Sequence, residues 1–473
     1  MNVLLLLCAP AFALYDNFPV KSTNIAAADA VAFYKMAASE SMNTYDAHPV
    51  YGIEASDGSL IFVGKGVEAD GSSVTEAFAV KFSATGTVVW SHVSGLVGAD
   101  VYNGLVQLPG GGDLIVCGFR AVGGVYKRSL TKLSLSTGAA VWTATDFGDS
   151  AGSHGAYENI DITSTGAVLV GGFQGKPNTD EYTFKSYGNA AGGTAVLSSF
   201  PLSALTSSTA PTSASASWTT TFAGRDTMKA VRPFSNGDVA VLLWSETGVA
   251  DQTTAVVKVT SAGATSWGPT NIGNLHGEGT EMALALDGSS IFITGHGACA
   301  APDAAALCGK ITKVDATTGT AAWSNYYSSC GTPNACGTTF IKNECWGIVV
   351  VSDGIVASCG TGIENCNGMT GSLLSNCQAN NPLAADTRTG AVDRRASVWL
   401  SYVFKTDLSG TLLWARADQF REQGNPALGT TGWVEASSAS EFAIVTSDGG
   451  LAFIQDEING AGFLKLTPPP PPP

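Results

Sequence analysis

Histidine is scarce in this chain. Among 473 residues only His48, His92, His154, His276 and His296 occur, spread along the sequence without a spacing that defines a catalytic triad. No C-x-x-C pair is present, and His296 is the only histidine near the cysteines, so the cysteines point to disulfides rather than to zinc. Basic residues are also few: 24 Lys and Arg against 39 Asp and Glu give a formal charge of −15 and a pI near 4.7. Nucleic acid needs a basic surface, so that class of partner is not expected, and anionic membrane surfaces are disfavoured likewise. No apolar run approaches the ~20 residues that span a bilayer, which argues against membrane insertion. Phosphate-binding glycine loops, calcium loops, Asn-x-Ser/Thr acceptors and long helical periodicity are all missing. No metal, cofactor or catalytic residue is assigned on these grounds.

What the chain does contain is a repeat. Two-residue turns of the Asp-Gly or Asn-Gly kind recur at Asp57-Gly58, Gly110-Gly111, Thr165-Gly166, Asn236-Gly237, Asp287-Gly288, Asp353-Gly354 and Asp448-Gly449. Such dipeptides tolerate the positive φ of tight hairpins, Thr165 least well because it is β-branched. An apolar strand follows each turn, and a third strand then carries Lys81, Lys132, Lys258, Lys313, Lys405 or Lys465. Five units end in a Gly-x-x-x-Trp step, at Trp90, Trp142, Trp267, Trp323 and Trp414, and Trp218 closes the third unit without that glycine. Four strands per unit make one propeller blade. The fold expected is therefore all-β: a seven-bladed β-propeller of four-stranded antiparallel blades, within residues 14–466. The blades fall near 47–95, 96–147, 148–222, 223–272, 273–328, 339–420 and 430–466.

The seventh unit stops at Leu466 without a tryptophan strand. The segment AVAFYKM from Ala30 supplies an unassigned strand near 30–36, and pairing it into the last blade closes the ring and removes an open edge. An alanine-rich helix from Ala26 to Ala38 is the competing reading. Residues 1–13, MNVLLLLCAPAFA, read as a signal peptide, which places the mature protein outside the cell. Six prolines, Pro468 to Pro473, lie in a proline-rich tail or the start of a stalk over 467–473.

Oxidising compartments favour disulfides, and eight cysteines cluster in the fifth and sixth units. Cys299 with Cys308 and Cys366 with Cys377 each bracket one loop. Cys330, Cys336, Cys345 and Cys359 allow three connectivities that sequence does not separate. Cys117, inside an apolar strand, reads as a buried free thiol.

The closing steps carry a family resemblance. Asp315-Ala316-Thr317-Thr318-Gly319-Thr320-Ala321-Ala322-Trp323 looks like the tryptophan-docking motif of quinoprotein-like (PQQ-type) propeller repeats, with weaker copies at Leu133 to Trp142 and Phe82 to Trp90. The resemblance implies that Trp90, Trp142, Trp218, Trp267, Trp323 and Trp414 wedge between neighbouring blades. It extends to blade structure alone. Quinoprotein dehydrogenases carry an adjacent Cys-Cys pair and resemble an eight-bladed ring, and this chain has neither the pair nor an eighth unit.

In a propeller, the connections between blades and those between second and third strands open on one face. The longest insertions, 174–217, 297–309, 326–343 and 361–396, are of those kinds. His48, Tyr51, Tyr102, His154, Tyr157, His276 and Trp346 precede or enter the inner strands and are expected to gather at the channel mouth on that face, with Glu158 and Glu278. The function expected is an extracellular binding or interaction module for a ligand, glycan or protein. An extracellular hydrolase or lyase using acids such as Glu158, Asp161, Glu278 and Glu281 is the second reading, and a structural component of wall, appendage or matrix the third.

Overall fold

The computed structural model describes residues 31–38, 48–67, 75–95, 99–177, 192–245, 253–272, 276–298, 307–328, 341–363, 398–418, 421–423, 433–435, 438–457 and 460–466. Apart from a two-stranded ribbon of Arg421–Gln423 with Trp433–Glu435, these form seven four-stranded antiparallel sheets, and six are simple meanders of consecutive strands. Their first strands are His48–Glu54, Asp100–Gln107, Ser153–Ile162, Thr227–Pro233, His276–Leu284, Ile341–Val351 and Ser438–Val445. Each first strand touches the first strands of both neighbouring blades, and the seventh touches the first, so the ring is closed around a central channel. The seventh sheet takes its fourth strand from the N-terminal segment. Val31–Ala38 pairs antiparallel with Gly460–Leu466, as the unassigned strand predicted and against the helical alternative.

The turns differ in detail from the expected two-residue type. The Gly58 N–H bonds to the Ala55 carbonyl, and Gly166, Gly237, Gly288 and Gly449 repeat the pattern. Those glycines all have φ between 72° and 86°. This is a type I turn followed by one left-handed glycine, so only the glycine needs positive φ. Thr165 is thereby accommodated without strain.

Two repeated sequence features are joined in space. The third-strand lysine reaches back to the aspartate of its own first turn: Lys81 to Asp57 at 2.7 Å, Lys405 to Asp353 at 2.7 Å and Lys465 to Asp448 at 2.8 Å, with longer pairs Lys258–Asp238 and Lys132–Asp113. Partial burial opposes ionisation of Asp57 and Asp448. Hydrogen bonds from lysine and the turn outweigh it, lowering both carboxyls from 3.8 to about 2. A depressed carboxyl stabilises the fold above its unfolded pKa and loses that contribution as pH falls through the folded one. Acid titration from pH ~4 to ~2 is therefore expected to weaken wild type more than a Lys81→Met/Lys465→Met variant, read as the pH dependence of thermal unfolding.

The closing tryptophans join blades. Trp90 of blade one donates its indole N–H to the Leu135 carbonyl of blade two at 3.1 Å and lies against Gly138. Trp218 and Trp267 use Ser261 and Ala316 with Gly263 and Gly319, and Trp323 lies against Gly410. Gly138, Gly263, Gly319 and Gly410 thus each receive the tryptophan of the preceding blade, because a Cβ there would meet the indole ring. Blade three lacks the glycine. A short helix, Leu202–Thr206, follows its third strand, buries Leu205, and lets the Ser207 carbonyl accept from Trp142. Strands alternate in direction, so this third-to-fourth connection opens on the face of the first turns. That part of the 174–217 insertion is on the opposite face from the one expected.

Candidate functional site

Each inner strand loses register near its middle, and that of blade three also between His154 and Ala156. The break lies between Pro49 and Tyr51, Tyr102 and Gly104, Tyr157 and Asn159, Met228 and Ala230, Cys345 and Gly347, and Ser440 and Phe442. In blade five it lies between His276 and Glu281. The extra residue at each break is a β-bulge, which re-aims a side chain out of the strand's alternation. Val50, Asn103, Glu158, Lys229, Trp346 and Glu441 are those residues, and all six line one central cavity. Tyr51, Asn159, Glu281 and Phe442, each in the place just after a bulge or break, complete the lining. With its mouth included, the cavity encloses about 490 Å3 of empty space.

The bulges have a sequence signature. Each stands seven positions before the first residue of its turn: Val50 before Asp57, Asn103 before Gly110, Glu158 before Thr165, Lys229 before Asn236, Trp346 before Asp353 and Glu441 before Asp448. In blade five the offset falls on Thr280, whose side chain lies outside the described residues.

The second strand makes room for the bulge. Gly64, Gly118 and Gly172 face Pro49, Tyr102 and Tyr157, and a Cβ on any of them would collide with the carbonyl of His48, Val101 or Ala156. Gly118→Ala is expected to cost about 3 kcal/mol, since backbone rather than a movable side chain is struck, as urea unfolding will show. In blade six the same place holds Cys359, which is disulfide-bonded to Cys345 directly across the ladder. The one fully described bridge thus selects among the three connectivities and flanks Trp346 within the sheet, not in an inserted loop. Cys308 is also disulfide-bonded and Cys117 is a buried free thiol. Cys299, Cys330, Cys336, Cys366 and Cys377 lie outside the described residues.

Charge around the cavity is compensated internally. The Arg232 guanidinium bonds Glu281 at 2.9 Å, faces Asp161 at 3.5 Å and donates to the Asn159 amide oxygen at 3.1 Å. The Asn159 amide nitrogen in turn donates to Glu281 at 3.2 Å. Burial pushes the Glu281 and Asp161 carboxyls up, and Arg232 counters it. Lys229 stands 3.8 Å from Glu158 and 5.0 Å from the centre of the Trp244 ring. Asn103 donates to the Tyr157 carbonyl at 2.8 Å, tying blade two to blade three.

Of the residues expected at the channel mouth, the structure brings Tyr51, Glu158 and Trp346 together in the cavity. Tyr102 and Tyr157 do not line it. They stand eight positions before their turns, just ahead of the bulge, and alternation turns them into the blades: Tyr157 packs on Phe147 beneath Arg128, and Tyr102 meets His92. His154 is buried and accepts the Tyr126 N–H, and His48 pairs with Asp456 at 2.7 Å across the seam of blades seven and one. His276 and Glu278 lie in the inner strand of blade five, with side chains outside the described residues. Val50, Asn103, Asn159, Lys229, Glu441 and Phe442 were missed, although the seven-residue offset would have found four of them. The sequence also holds Gly148-x-Ser150-x-Gly152, the spacing of a nucleophile elbow. It joins two strands instead of opening a helix, which is the wrong context for that chemistry. Among the described residues no group of three or more His, Cys, Asp or Glu is placed to hold a metal ion.

No protein-family model and no curated protein matches the chain. Solved structures do match. Sqt1 from Chaetomium thermophilum, bound to the N-terminus of the ribosomal protein L10, aligns over 92% of this chain and 100% of its own at 10% identity, TM-score 0.46. The β-propeller domain of the Trilobed protease from Pyrococcus furiosus aligns over 89% and 94% at 6% identity, TM-score 0.40. Quinohemoprotein alcohol dehydrogenase from Comamonas testosteroni aligns over 89% and 70% at 10% identity, TM-score 0.39. Likenesses this distant transfer no activity or partner, and the architecture rests on the strand order itself. By that order the chain is a seven-bladed β-propeller, with its central cavity lined from every blade.

Proposed function

We propose that the chain is an extracellular binding module whose ligand enters the central cavity. One observation carries this: the framework repeats while the lining does not. Turn glycines, third-strand lysines and closing tryptophans recur from blade to blade. The six described bulge positions hold Val, Asn, Glu, Lys, Trp and Glu. A scaffold that repeats around a divergent, polar, concave surface suits a ligand site. The extracellular part of the reading draws on the apolar leader and on the disulfides, which oxidising compartments favour. Glu281 is committed to Arg232, Asn159 and the Met282 N–H, which suits a positioning role better than acid catalysis.

The test is thermal unfolding of the purified protein against a set of small polar compounds. A ligand at about 100 times its Kd adds about 2.7 kcal/mol to stability and raises Tm. The raised Tm is expected in wild type and lost in Trp346→Ala. No shift with any compound, or a shift that survives Trp346→Ala, would overturn the cavity as the site.

A further inference from the structure

The cavity lining is two-sided. Blades six, seven and one, consecutive around the ring, contribute Trp346, Glu441, Phe442, Val50 and Tyr51. The Tyr51 and Phe442 rings lie 4.2 Å apart at 41°, and Trp346 is partly exposed. Blades two to five contribute Asn103, Glu158, Asn159, Lys229 and Glu281, with no aromatic side chain among them. One wall therefore carries all three aromatic side chains, with Val50 and a single carboxylate, Glu441, and the other is polar throughout.

The polar wall mixes hydrogen-bonding types. The Lys229 ammonium only donates, the carboxylates only accept, and the two amides do both. Its charges are paired within the protein: Arg232 lies between Glu281 and Asp161, and Lys229 faces Glu158. An anionic ligand would approach Glu158, Glu281 and Glu441 together, and a cationic one would approach Lys229 with Arg232 behind it. A matching ligand needs a flat apolar face, a rim of groups that both donate and accept, and no net charge. A sugar ring has all three: C–H groups on one face to lie against aromatic rings, and hydroxyls that donate and accept.

We infer that the cavity takes one neutral saccharide ring, stacked on the Trp346, Phe442 and Tyr51 wall with its hydroxyls toward Asn103, Asn159, Glu158 and Lys229. This rests on the binding reading above. The ring comes either as a free sugar or as the end of a glycan.

The experiment is ligand-observed NMR and calorimetry of the whole chain with methyl glycosides of neutral hexoses and pentoses, glucuronate, glucosamine, and neutral oligosaccharides. At least one neutral glycoside is expected to bind with a Kd of about 1 mM or tighter, and charged analogues about tenfold more weakly. Trp346→Ala is expected to abolish binding and Trp346→Phe to restore most of it, with circular dichroism showing both variants folded. Binding by oligosaccharides alone assigns the site to glycan ends and supports the inference. If a charged or aromatic compound from the Tm set binds in a Trp346-dependent way and no neutral saccharide does, the saccharide assignment falls and the binding module stands. If nothing binds, both fall.

Discussion

Arg232→Ala will cost the folded protein about 3–5 kcal/mol, the loss expected when one partner of a buried ion pair is removed. Among the described residues Arg232 is the one cation bonded to Glu281, whose side chain is only 5% exposed, and it also faces Asp161. Without it two carboxylates remain near each other at the centre of the ring. Burial already raises the Glu281 pKa, and losing Arg232 raises it further. A carboxyl whose folded pKa exceeds its unfolded value favours the folded state as it takes up a proton. The variant should therefore be weakest near pH ~8 and recover toward pH ~5, opposite to the trend at the Asp57 and Asp448 turns. Arg232→Met combined with Glu281→Gln should lose less than Arg232→Ala alone, because no unpaired charge remains at Glu281. Urea unfolding at both pH values measures this. A pH-independent loss below about 1 kcal/mol would show that water, not Arg232, solvates Glu281.

Trp90→Ala is expected to cost about 3–5 kcal/mol as well, through a different cause. The indole is 9% exposed, joins the core of blade one, and bridges to Leu135 and Gly138 of blade two. Leu135 also accepts from Lys81, so one carbonyl anchors both the tryptophan and the turn pair of the preceding blade. Trp218 makes the same kind of bond from a more exposed position, and Trp218→Ala should cost clearly less. Equal losses at the two sites, compared by thermal unfolding, would mean that the tryptophans act within blades and not between them.

The blade count and the closing strand were readable in sequence, and the resemblance to quinoprotein-like repeats implied the tryptophan contacts. Each depends on contacts repeated at fixed spacing: Trp90 on Gly138, Trp218 on Gly263 and Trp267 on Gly319 are one contact made three times. The site was half legible. Trp346 and Glu158 were named, but Tyr102 and Tyr157 were grouped with Tyr51 because all three are tyrosines near strand starts. Their offsets from the turn differ by two residues, and the bulge lies between. A period-two alternation read straight through that point puts the wrong side chains in the channel.

The sequence by itself determined the repeat and hence the ring, since turn, strand, glycine and tryptophan are local or blade-to-blade preferences that need no knowledge of the whole. Only the tertiary structure decided what faces the axis. A bulge is one extra residue against an uninterrupted partner strand, and no propensity marks it. The glycines that permit it, Gly64, Gly118 and Gly172, look like any strand glycine until they are seen against the backbone opposite. Closing seven such strands into a ring then brings Trp346, Glu158, Lys229 and Asn103, hundreds of residues apart at the extremes, into one cavity.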